Sequence, residues 1–193
     1  MRVEAMAIPE IKLLLPRVFS DPRGYFLETW SGRALLSAGI DADFVQDNQS
    51  LSREPGVVRG LHFQLPPHAQ GKLVRVLSGA ILDVAVDIRA GSPTFGRHVA
   101  RELTASGFEQ LWIPAGFAHG FQTLEPETIV AYKVTADYAP AADRGLAFDD
   151  PDLGIAWPIS AGKAILSEKD RKHPRLRDLP KCFTYAPREL VGA

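Results

Sequence analysis

Residues 128–135 read TIVAYKVT. Alternation sets Val130, Tyr132 and Val134 on one face and Ile129, Ala131 and Lys133 on the other, one face apolar and one mixed. A strand of this kind lies between a packed outer layer and an interior. Working outward from it, 57–65, 72–77, 81–88, 97–103, 108–114 and 119–124 are further short runs rich in β-branched or aromatic residues. Gly and Pro clusters punctuate them: PPHAQG, SG, AGSPTFG, ASG, PAG and EPE. Many short strands at such close spacing predict an all-β, antiparallel sandwich or barrel. An interior that carries Tyr, His and Lys is a ligand cavity rather than a plain core. The helical signal is thin. SGRALLSA at 31–38, with Gly39 behind it, predicts one short peripheral helix with a glycine stop. A second is predicted over 167–172, ended by Pro174.

The chain of 193 residues, 46% apolar, suits a single domain spanning 1–193 with a substantial core. A formal net charge of −1 gives no electrostatic reason to expect nucleic acid or an anionic membrane as partner. The opening MRVEAMAIPEIKLLL reads as no signal peptide, and no run approaches the roughly 18 apolar residues of a membrane span. Cys182 is the lone cysteine, so internal disulfides and thiolate clusters are excluded, and the expected setting is the cytoplasm.

Two segments carry chemistry. VVRGLHFQL at 57–65 places Arg59, His62 and Gln64 in one strand. Strict alternation sets His62 and Gln64 on one face and Arg59 on the other, unless Gly60 marks a bulge that re-aims one of them. IPAGFAHG at 113–120 is a P-x-G-x-x-H turn entering a strand, the pattern by which cupin barrels deliver a metal-binding histidine. His62 fills the first position of the other cupin motif, but Gln64 stands where a second histidine belongs. Lys72 stands seven residues before Gly79, where the metal-binding Glu would be. A divalent cation wants carboxylates and neutral imidazoles, so an ammonium there argues against a metal and for an anion such as an enolate oxygen. A metal-dependent cupin, with His62 and His119 as ligands, is the rival reading. Tyr132 reads equally as core packing. SEKD at 167–170 resembles a capping box, which would make Asp170 a helix cap, and DPRG at 21–24 is a turn that exposes Arg23.

In their order along the chain these segments resemble the dTDP-4-dehydrorhamnose 3,5-epimerase family, from about Phe19 to Tyr185. DPRGYFLE, FVQDNQS, VRGLHFQ, QGKLVRV, IPAGFAHGF, Tyr132, the stretch 138–144, IAWP and LSEKD carry the match. The resemblance implies a cupin-like jelly roll or β-sandwich that forms a homodimer and needs no metal or cofactor. The implied substrate is a dTDP-4-keto-6-deoxy sugar, epimerised at C3 and C5. By position, His62 corresponds to the catalytic base, Tyr132 to the acid and Asp170 to the carboxylate that holds the histidine. Arg23, Phe26, Glu28, Gln46, Asp47, Asn48, Gln49, Arg59, Lys72, His119, Asp143 and Lys169 fall at binding positions, and Tyr138 where an aromatic ring stacks on the base. Asp143 departs from the family, which has a longer Glu there. The implied chemistry is coherent: a C4 ketone acidifies C3 and C5, a histidine is a fitting base near neutral pH, and Lys72 can stabilise the oxyanion. A relative that epimerises C3 or C5 alone, or isomerises the ketone, fits the same residues.

Overall fold

The computed structural model describes residues 1–186. Its strands in chain order are β1 (Arg2–Ala5), β2 (Lys12–Leu15), β3 (Val18–Asp21), β4 (Gly24–Leu27), β5 (Gln46–Ser52), β6 (Val58–Gln64), β7 (Lys72–Ser78) and β8 (Ala80–Asp87). They continue as β9 (Arg89–Ala90), β10 (His98–Thr104), β11 (Gln110–Ile113), β12 (Phe117–Thr123), β13 (Thr128–Val134), β14 (Asp143–Gly145) and β15 (Phe183–Thr184). A six-stranded antiparallel sheet runs β1-β2-β11-β7-β13-β5, and a five-stranded one β10-β8-β12-β6-β14. The two form the cupin-like sandwich expected from the sequence. The hairpin β3–β4 stands apart from both, and β15 pairs parallel with β9.

Alternation explains the layers. Val74, Val76, Leu111 and Val130 from one sheet meet Ile81, Ala85, Val99, Leu103, Phe117 and Phe121 from the other. The outer face of the five-stranded sheet, with Val58, Leu61, Phe63 and Val84, is covered by the C-terminal segment through Leu146, Phe148, Leu153 and Trp157. The outer face of the larger sheet is covered only in part. Leu35 from the helix α1 (Gly32–Ser37) and nearby Ile40 pack on Leu14, Leu73 and Trp112. Over β5 and β13 the described residues provide no such cover. The packed outer layer expected over TIVAYKVT is therefore missing there, and Lys133 faces an open hollow lined with Trp30 and Asp47.

The first helix matches its signals: Ser31 caps Ala34 N–H, and Gly39 follows the end at φ +72°. The second does not form. Only one 3-10 turn, Asp170–Lys172, is present, because Pro174 restricts His173 to extended backbone. No helix among the described residues is long and apolar enough to cross a membrane.

The irregularity that shapes the site is in β6. His62 pairs with His119 but Arg59 pairs with Phe121, so two residues of β6, Gly60 and Leu61, oppose one of β12, Gly120. This bulge overturns strict alternation. Val58 and Leu61 both join the outer core, and Arg59 shares the inner face with His62. Gly60 permits it: φ is +133°, and a Cβ there would lie 2.6 Å from the Gly120 Cα.

Candidate active site

Between the sheets the apolar filling gives way to polar side chains. A cavity of about 240 Å³ is lined by Ser50, Arg59, His62, Lys72, His119, Phe121, Tyr132, Ser167, Lys169 and Asp170. A second hollow, about 140 Å³, shares His62, Lys72, Tyr132 and Lys169 and adds Gln46, Asn48, Gln64, Tyr138 and Asp143. His62 and Tyr132 thus look into one space. Their strands deliver them from opposite sheets, β6 from one and β13 from the other.

His62 Nε2 lies 2.6 Å from Asp170 Oδ1. An ionised carboxylate only accepts, so Nε2 carries the hydrogen and Nδ1 keeps its lone pair. Burial works against ionising Asp170, yet hydrogen bonds from His173 and then His62 outweigh it and hold the carboxyl far below the usual range. Only half of a capping box forms from SEKD: Ser167 Oγ accepts from the Asp170 N–H at 3.1 Å, but the Asp170 carboxylate caps no helix and turns to the histidines instead. The His62 side chain is 31% exposed and the Asp170 side chain 5%, so the imidazole is reachable and its anchor is not.

Lys72 is buried, with Nζ 3.4 Å from the His62 carbonyl oxygen. Burial pushes its ammonium down to about 8, with Asp83 and Asp143 pulling the other way. His119 donates from Nε2 to both oxygens of Asp83, at 3.0 and 2.9 Å. Burial nevertheless lowers its proton affinity, the attraction of Asp83 being the smaller effect. It therefore presents a neutral ring with a free acceptor nitrogen. Desolvation raises the Tyr132 hydroxyl, which keeps its proton, while Arg59 draws it the other way. A phenol held protonated can donate.

Sequence reasoning missed three residues here. Asp83 had a visible signal, a carboxylate inside the apolar strand AILDVAVD, and it is fully buried. Ser50 lies one residue beyond the expected stretch, and its buried hydroxyl has no hydrogen-bond partner among the described residues, which offers it to a ligand. His173 had no signal at all.

The remaining expected residues divide. Gln46 and Asn48 face the cavity and bond each other at 2.7 Å, whereas Asp47 and Gln49 point to the opposite face, Asp47 onto Lys133 at 2.9 Å. Tyr138 is exposed, with its hydroxyl on Asp143 at 2.9 Å, and Lys169 pairs with the same carboxylate. Burial disfavours the Asp143 anion, but Lys169 and Tyr138 more than compensate and lower its proton affinity. Asp143 is thus engaged although shorter than the Glu expected there. Arg23, Phe26 and Glu28 are not brought to this cavity. They sit on or just after the β3–β4 hairpin, exposed, with Arg23 bound to Asp21 at 2.6 Å. Two positions of the metal-cupin donor set are filled by other groups: Gln64 clamps the backbone of His68, Asp137 and Ala139, and Lys72 stands where the carboxylate ligand would be.

Comparison with known proteins gives a consistent picture. The profile of the dTDP-4-dehydrorhamnose 3,5-epimerase family matches residues 5–178. A dTDP-4-dehydrorhamnose 3,5-epimerase from Sinorhizobium fredii is 52% identical over 185 residues, covering 96% of this chain and 94% of that protein. The crystal structure of a dTDP-6-deoxy-D-glucose-3,5-epimerase from Legionella pneumophila, in complex with dTDP-4-keto-L-rhamnose, superposes with a TM-score of 0.92. It is 41% identical and covers 96% of this chain and 99% of its own. A 3'-monoepimerase from Streptomyces bikiniensis, in complex with dTDP-quinovose, gives 0.83 at 34% identity, covering 90% of this chain and 87% of its own.

Proposed function

Because the chain belongs to the dTDP-4-dehydrorhamnose 3,5-epimerase family, we propose that it epimerises a dTDP-4-keto-6-deoxyhexose at C3 and C5, with His62 as base and Tyr132 as acid. The observation that carries the assignment is a single cavity lined by an imidazole with a free nitrogen, a protonated phenol and a buried ammonium.

His62 Nδ1 removes the hydrogen from a carbon beside the ketone, and the electron pair moves onto the C4 oxygen. Asp170 stabilises the imidazolium that forms, and Lys72 stabilises the enolate oxygen. Tyr132, from the other sheet, returns a proton to the far face and inverts the centre. Once His62 has released its proton to solvent and Tyr132 has regained one, the same steps at the second carbon complete the reaction without change of oxidation state. Arg59 and Lys169 suit the diphosphate, and the exposed Tyr138 ring suits the base.

A homodimer supplies what one chain lacks. The β3–β4 hairpin exposes Tyr25 and Phe26, 62% and 71% accessible, beside Arg23 and Glu28. The uncovered face of β5, β7 and β13 offers a hollow of about 330 Å³ to a second copy. Such an arrangement brings one copy's hairpin to the other's substrate. The setting is the cytoplasm, where lone Cys182 stays reduced.

Incubation with dTDP-4-keto-6-deoxyglucose in deuterated water, followed by NMR, tests the reading. Deuterium at C3 and C5 is expected. Label at one carbon alone replaces it with monoepimerisation, and neither label nor binding refutes it.

A further inference from the structure

Among the buried side chains that the proposed mechanism leaves unused is His173. Its Nε2 lies 3.2 Å from Asp170 Oδ1, the same oxygen that His62 Nε2 reaches at 2.6 Å. The two rings meet edge to face, with centroids 5.5 Å apart and planes at 84°. The His173 side chain is only 8% exposed. Gly145, the ladder partner of His62, makes room for it: a Cβ on Gly145 would fall 2.2 Å from His173 Nε2. Pro174 behind it is anchored by a hydrogen bond from Ala147 N–H at 2.8 Å. The ring is therefore fixed from three sides, and its donor points at the catalytic carboxylate.

We propose that His173 is a positioning residue for the epimerisation, sharing Asp170 Oδ1 with His62 and thereby limiting how strongly the base holds its proton. The proposal rests on His62 being that base. A carboxylate only accepts, so both Nε2 atoms donate to Oδ1. Each donor draws charge from that oxygen, and what His173 takes is lost to the His62 imidazolium. A weaker hold keeps His62 unprotonated to lower pH and makes the abstracted proton easier to release. The sharing also couples the rings: a proton added to one is felt by the other through a single oxygen.

Among the described residues, the titratable and charged groups that line the cavities beside His62 or pair with their lining are Arg59 from β6, Lys72 from β7, Asp83 from β8, His119 from β12, Tyr132 from β13, Asp143 from β14 and Lys169 before the turn. Arg171 and Lys172, on the turn itself, are exposed. Among the described residues, only His62 and His173 donate to the Asp170 carboxylate from a side chain nitrogen. Substitution at 173 leaves the other groups in place.

The test is the pH profile of kcat/KM for His173→Leu and His173→Gln. Leu keeps the bulk and removes the donor, so the acidic limb should move up by about half to one pH unit, the worth of one hydrogen bond. Gln returns a donor near the Nε2 position and should leave the limb where it was. In an Asp170→Asn background, His173→Leu should no longer move it. An unmoved limb in His173→Leu, with or without a fall in kcat, overturns the proposal and leaves His173 as packing. The unsubstituted protein provides a reading independent of folding in the variants. Nitrogen NMR of its rings should find hydrogen on Nε2 of both His62 and His173, and a His173 ring carrying its hydrogen on Nδ1 alone overturns the sharing. His62→Asn separates the two failures: normal turnover there sinks the base itself, whereas an inactive His62→Asn with an unmoved His173→Leu limb sinks only the role of His173.

Discussion

Two histidine–carboxylate pairs stand side by side where β6 meets β12, since His62 and His119 are ladder partners. Their hydrogen bonds are alike, 2.6 Å for His62–Asp170 and 2.9 Å for His119–Asp83. Their solvent contact is not. The His62 side chain is 31% exposed against 7% for His119, and both carboxylates are buried. A reachable imidazole on a buried anion can take and release a proton. A sealed one, whose charged form burial disfavours, stays neutral and serves as a fixed hydrogen-bonding group. Exposure, rather than residue type, divides the labour.

The sharpest way to break that division is His62→Asn. It should lower kcat about 10³-fold, the range of a lost general base, and abolish deuterium exchange at both carbons, with the circular dichroism spectrum unchanged. His119→Asn should cost activity far less. Equal losses would mean that both rings titrate in turnover.

Tyr132→Phe comes next. With the acid gone, proton return from the far face should slow turnover about 10²-fold. Because His62 remains, washing of deuterium into C3 should persist while inversion fails, and NMR on recovered substrate reads both. Loss of exchange together with inversion would place Tyr132 in the first proton transfer as well.

Stability should invert the order. Asp83→Leu strands a buried imidazole N–H and removes the carboxylate that draws on buried Lys72, a loss of about 3 kcal/mol in urea unfolding. Asp170→Leu lets water satisfy the part-exposed His62 but strands the N–H of buried His173, so about 2 kcal/mol is expected, with the larger fall in kcat. If Asp170 proved the costlier of the two to stability, the contrast between sealed and open pairs would be wrong.

These contrasts were unevenly legible in the sequence. β6–β8 and β10–β13 announced themselves because burial on one face or both makes a strand apolar at period two. β5 did not, since QDNQSLS is polar and edge strands need little apolar content. His62, Tyr132 and Lys72 were found through motif position, and the inward turn of Arg59 needed the bulge at Gly60, which sequence suggests but cannot aim. His173 was invisible. Only the fold brings position 173 over Gly145 and beside His62, and one stretch of sequence gives no measure of that distance. The hairpin residues Arg23, Phe26 and Glu28 lie outside the cavity for a related reason: position in a motif does not say where the fold carries a residue.

Lys72 gives the smallest and most particular prediction, because its two effects run in opposite directions with pH. Its ammonium titrates at about 8 in the folded chain against 10.5 when solvated. Between those values the unfolded chain holds more protons than the folded one, so this contribution to stability rises with pH. Below about pH 8 both states are protonated, and the full penalty of the buried charge applies. Activity should move the other way, since only the ammonium stabilises the enolate. The kcat/KM profile should therefore carry a basic limb near pH 8 while the unfolding free energy, compared with Lys72→Met, improves from there toward pH 10.5. Lys72→Met should be slower throughout and lack that limb. A limb that survives in Lys72→Met would assign the titration to another group and leave the enolate without its cation.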